Sequence, residues 1–159
     1  MKIIIATAIL LAAGISGCHN QPQKEVEKLT EEKNVNTMNS YVSLFEIPAT
    51  DISRACDFYQ AILDVNIEQM EMPGMEMGIF PYENQMVHGV IMKGPDFVPS
   101  ANGPTLYLNG GNDLQPILDK VEQNGGQIIV PKTPHADESG FFALFLDSEG
   151  NKLGLNSPN

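Results

Sequence analysis

The chain has 159 residues, enough for one compact domain with its own core and some further segments. It carries 20 Asp and Glu against 9 Lys and Arg, a formal net charge of -11. The residues before 41 hold as many cations as carboxylates, so the whole imbalance falls on residues 41–159. Such a surface repels phosphate backbones and anionic lipid headgroups, which excludes nucleic acid as a partner; the acidity serves solubility, with a cationic ligand as the alternative.

In chain order, residues 1–18 read as a targeting segment. Lys2 supplies a positive start, residues 3–13 an apolar stretch too short to span a bilayer, and Ile15-Ser16-Gly17-Cys18 a small-residue close. This is similar to a bacterial lipoprotein signal, which implies cleavage before Cys18, its acylation, and a membrane-anchored protein of the cell envelope facing the periplasm or exterior. Two or three acyl chains suffice for stable anchoring. A lipidated Cys18 leaves Cys56 without an intramolecular disulfide partner, and its place in an apolar stripe predicts core packing. Residues 19–40 turn to Gln, Glu, Lys, Asn and Thr and are expected to form a tether of roughly 25 Å root-mean-square reach.

The domain is expected over 41–159. A strand over 41–48 alternates in side, with Phe45 and Ile47 on one face and Leu44, Glu46 and Pro48 on the other. Asp51 or Thr50 caps a helix whose stripe is Ile52, Ala55, Cys56, Tyr59, Ile62 and Leu63. Strands are expected next over 65–70, 76–80 and 87–93, punctuated by Pro73-Gly74 and Pro81. The Pro- and Gly-rich residues 94–103 join this half to a second.

The second half repeats the first. Leu106 and Leu108 stand where Phe45 and Ile47 stand, and Thr105, Tyr107 and Asn109 where Leu44, Glu46 and Pro48 stand. A second helix, capped at Asp113, carries Leu114, Ile117, Leu118 and Val121 and stops at Gly125-Gly126. Strands over 127–130, 141–146 and 152–156 complete the unit, with 141–146 central because it is apolar on both sides. The expectation is an α+β fold of two βαβββ modules forming a curved mixed sheet around a central cavity, helices on the convex side. A duplicated unit of this kind makes a small-molecule site between the halves the first functional expectation.

The run Phe45-Glu46-Ile47-Pro48 with Asp51 and Phe58-Tyr59, then Gly125-Gly126 and Asp147-Ser148-Glu149-Gly150-Asn151, resembles the vicinal oxygen chelate superfamily of glyoxalases, extradiol dioxygenases and bleomycin-binding proteins, in its glyoxalase-like branch. That resemblance implies four ligand positions for a divalent metal on the concave faces. They fall on Leu44, Thr105, Gly154 and a residue within 88–92. The first three supply no usual donor, so no metal and no cofactor is expected, with a divalent ion as the alternative. The expected cavity wall is Leu44, Glu46, Thr105, Tyr107, Asn109, Lys152, Gly154, Asn156 and His88.

Three functions are compatible with these residues. The first is a binding module for a small molecule. The second is a glyoxalase-like lyase or isomerase with Glu46, a carboxylate among apolar walls, as general base or metal ligand; pairing of Glu46 with Lys152 or with backbone donors is the structural alternative. The third is an interaction protein, for instance a homodimer. Met70, Met72, Met75 and Met77 form either a soft wall for an apolar ligand or ordinary core filling. A copper-binding methionine run is disfavoured because Pro73-Gly74 interrupts it and no His accompanies it.

Overall fold

The structure is a computed structural model and describes residues 40–159. The signal, Cys18 and tether expectations lie outside the described residues. Within them the order is β1 (Leu44–Pro48), α1 (Ile52–Leu63), β2 (Glu68–Met72), β3 (Met75–Ile79) and β4 (His88–Lys93). The second module has β5 (Leu106–Asn109), α2 (Gln115–Val121), a 3-10 turn (Glu122–Asn124), β6 (Gln127–Pro134), β7 (Phe141–Leu146) and β8 (Lys152–Ser157). Each module makes its own four-stranded mixed sheet, β1-β4-β3-β2 and β5-β8-β7-β6, with the first and last strands of each module parallel. The sheets are separate, and β1 and β5 are both edge strands.

Strand parity decides which face is covered. Ile47 and Ile91 are buried on the helix side in the first module, and Leu108, Ala143, Phe145, Leu153 and Leu155 in the second. Helix α1 begins where the Asp51 side chain accepts from the Arg54 amide at 3.1 Å, satisfying a donor the helix cannot. It ends where Asp64 adopts the left-handed conformation, φ 56°. Its buried stripe is Ile52, Ala55, Cys56, Phe58, Tyr59 and Ile62. Phe58 packs against Phe145 of β7 and Tyr59 meets Phe80 edge to face, so this one helix joins both modules into a single core. Gly78 lets α1 approach its sheet, since a Cβ there would lie 2.4 Å from Cys56 Sγ. Cys56 is a free, buried thiol, and burial pushes it up to about 11, as a packing residue requires.

Several boundaries differ from the sequence reading: β1 starts at Leu44 instead of 41, and β3, β4 and β8 shift by one residue. β2 starts at Glu68 instead of 65, because Ile67 is drawn into the core and its amide is held by Gln60 Oε1 at 3.0 Å. The second helix starts at Gln115: Leu114 takes the N-cap position without a side-chain hydrogen bond, and Asp113 accepts from the Gln115 amide at 2.9 Å while pairing with Lys132 at 2.7 Å. β6 continues through Pro131 to Pro134, which an edge strand permits because its outer N–H groups need no partner. β7 is central, paired to β6 and β8.

Candidate functional site

The two modules meet at a seam between the edge strands β1 and β5, and the ends of that seam are built differently. At one end the turn of residues 147–151 docks onto the start of α1. Glu149, whose side chain is fully covered, accepts from Thr50 N and Oγ1 at 2.7 Å each, from Asp51 N at 3.2 Å and from Arg54 Nε at 2.7 Å. Burial alone would raise the Glu149 pKa; the Arg54 and Thr50 donors together outweigh it and hold its carboxyl below the usual value. Asp147 accepts from the buried Tyr59 hydroxyl at 2.6 Å, and burial followed by that carboxylate pushes the Tyr59 phenol well above its usual range. Asn151 donates to the Pro48 carbonyl at 2.8 Å and accepts from the Ser100 amide at 3.0 Å, tying β1, the turn and the inter-module linker together.

By internal symmetry the turn of residues 82–87 should close the other end onto the β5–α2 loop. Among the described residues it makes no hydrogen bond to that loop, and Tyr82 and Met86 stand 57% and 64% exposed. An open cleft of about 690 Å³ remains there, between the last turn of α1, the first turn of α2 and the two edge strands. Its walls are Phe45, Leu63, Val65, Phe80, Leu106 and Ile117, the half-buried apolar residues that flank the core. Gln85, Tyr107 and Asn109 add polar groups, and none of the lining residues is charged.

The other expected wall residues distribute over the opposite, uncovered side of the sheets. Glu46 and Lys152 line a cleft of about 220 Å³ with Ser100 and Asn102; Glu46 is exposed, not enclosed by apolar walls. Asn156 lines a third cleft, of about 500 Å³, which Tyr107 and Asn109 border as well as the first. Leu44, His88, Thr105 and Gly154 line none of these three clefts. His135, which is not among the expected wall residues, also stands at this face: its Nε2 lies 2.8 Å from Asn156 Oδ1 and its ring lies against Phe142. The strand expected over 127–130 stops short of Pro131, so nothing in the sequence places His135 beside β8.

The pairing also fixes the fourth ligand position implied by the resemblance. Glu46 pairs with Val90 as Tyr107 pairs with Gly154, so Val90 is the equivalent of Gly154. Leu44, Val90, Thr105 and Gly154 do not fit a divalent ion, and a Cβ on Gly154 would lie 2.3 Å from the Tyr107 ring, which fills the space such a ligand would use. Among the described residues no group of three His, Cys, Asp or Glu is placed to hold a metal.

Two separate four-stranded sheets built from one repeated βαβββ unit define a class of paired-module proteins. Residues 41–155 match the Glyoxalase/Bleomycin resistance protein/Dioxygenase superfamily, and the chain belongs to it. A glyoxylase-like domain-containing protein of Didymella fabae is 32% identical over 130 residues, covering 72% of this chain and 91% of that protein. An antibiotic-binding protein from Streptomyces sp. CB03234 superposes with a TM-score of 0.60 at 21% identity, over 76% of this chain and 97% of its own. A glyoxalase I mutant from Zea mays gives 0.61 at 18% identity over 73% of this chain, which spans only 45% of the Zea mays chain. At these identities the two structural likenesses are ones of fold.

Proposed function

We propose that this is a lipid-anchored cell-envelope protein that binds an uncharged, predominantly apolar small molecule at the seam of its glyoxalase-like domain, without the metal of its enzymatic relatives. The observation that carries the reading is the cleft of about 690 Å³ without a charged lining residue in a chain of net charge -11. Its volume falls within the range of small-molecule sites, roughly 300–1,000 Å³, and its few polar groups suffice to orient a ligand. The antibiotic-binding neighbour of similar fold supports a binding role, and Leu44, Val90, Thr105 and Gly154 at the ligand positions weigh against metal-assisted turnover. Acylation at Cys18 would hold the domain at a membrane surface.

The test is titration of the full chain with N-phenylnaphthylamine, a neutral fluorescent aromatic amine. Saturable binding is expected, abolished by Ile117→Trp, which fills the cleft mouth, with the thermal melt unchanged. Equal binding by the wild type and the filled variant would refute the site. The second reading is a lyase or isomerase, supported by Glu46 and Lys152 sharing one cleft. It requires Glu46→Gln to abolish turnover of a glyoxalase-type substrate while leaving probe binding intact.

A further inference from the structure

Pro73-Gly74, the pair that interrupts the methionine run in sequence, is the hairpin turn that folds the run back on itself. β2 and β3 pair with Met70 opposite Met77 and Met72 opposite Met75, and β3 and β4 pair with Met77 opposite Met92. Directly opposed residues share a face, so five thioethers stand together on three adjacent strands. The face is the one away from α1, because Gly78, between Met77 and Ile79, is the residue that points at Cys56. Opposed Cβ atoms lie roughly 4.5–5.5 Å apart, which lets the flexible Met70, Met77 and Met92 side chains converge above β3.

Ordinary core filling does not account for this row. Met92 is only 6% exposed, yet it lies outside the contiguous core, while Met70 and Met72 are 43% and 40% exposed. The sulfurs therefore reach from a covered floor to solvent. Thioether sulfur is a soft, uncharged donor that selects Cu(I) and its congener Ag(I) over hard or borderline divalent ions. The chain's negative charge raises the local concentration of any cation.

We propose that Met70, Met77 and Met92 form a three-coordinate thioether site for a soft monovalent cation, Cu(I) or Ag(I). The site uses different residues, on a different face, from the apolar cleft, and it stands or falls independently of the proposed function. Binding involves no electron transfer, since the metal enters and leaves as the monovalent ion.

The experiment titrates Ag(I) into full-length protein carrying Cys18→Ser, with methyl-labelled methionine observed by NMR. One equivalent should shift the Met70, Met77 and Met92 methyl resonances, leave Met86 in place, and produce no response to Zn(II). Thioethers do not titrate, so affinity should be flat between about pH 5 and 8, whereas thiolate, imidazole or carboxylate ligation weakens as protons compete. The triple variant Met70→Leu/Met77→Leu/Met92→Leu keeps side-chain volume and should lose saturable binding while keeping its fold. Three results would overturn the proposal: no methyl shifts at one equivalent, unaltered binding by the triple variant, or binding that disappears with Cys56→Ala alone.

Discussion

Glu149→Gln probes the contact that joins the modules. The side chain keeps its shape, but an amide offers one acceptor oxygen where the carboxylate offers two, and four donors converge on it. A charge-assisted hydrogen bond contributes about 1.5–3 kcal/mol, and the variant loses the equivalent of one to two of them. Arg54 is half exposed, so solvent screens that part of the interaction, and the expected net cost is about 2 kcal/mol. For a domain of this size that corresponds to a fall in Tm of roughly 6–10 °C. The pH dependence has a definite sign. Glu149 is held below its usual 4.5, so its stabilisation is fully present above that value and is lost as pH falls through the folded pKa. Urea unfolding at neutral pH should therefore show the full difference between wild type and variant, and unfolding below about pH 4 a reduced one. A cost under about 0.5 kcal/mol, or one that does not change with pH, would refute a stabilising role for the Glu149 carboxylate.

Other expectations rest on close approaches, burial and the sequence. Gly154→Ala drives a Cβ into the Tyr107 ring and should destabilise by about 1–3 kcal/mol, a loss that Tyr107→Ala largely removes in a double-mutant cycle of thermal melts. Cys56, buried and with its thiol raised to about 11, should resist iodoacetamide in the native state and react after urea unfolding, as mass spectrometry would show; rapid native alkylation would contradict core packing. Cys18→Ala should move the protein from the membrane to the soluble fraction, and retention after a high-salt wash would count against acylation as the anchor. A chelator should leave Tm unchanged, and a fall of several degrees would reveal a divalent metal that contributes to stability.

The legible parts of the fold were those with strong periodicity or explicit punctuation. The alternation of Phe45, Glu46 and Ile47, the Asp51 cap and the α1 stripe each emerge from the residues alone, and the repeat of Leu106-Tyr107-Leu108 identifies the second module. What was hidden depends on partners distant in sequence. The strand over 127–130 was expected to end before Pro131 because sequence does not reveal that β6 is an edge strand, and that concealed the His135–Asn156 contact. Pro73-Gly74 read as an interruption because a local pattern cannot show which strands the turn brings together. The open cleft is equally illegible: Phe45, Leu63 and Ile117 read as core residues, and only the failure of residues 82–87 to dock as residues 147–151 do leaves them lining a space.

On the proposed function, an apolar ligand enters the seam between the modules, on the helix side of β1 and β5. Methyl-labelled Leu, Val, Ile and Met in the full chain, observed by NMR during titration with N-phenylnaphthylamine, test it most directly. Saturable shifts are expected on Leu63, Val65, Leu106 and Ile117, with the Met70, Met77 and Met92 methyls unmoved. Shifts centred on the methionine face, or scattered without saturation, would contradict it.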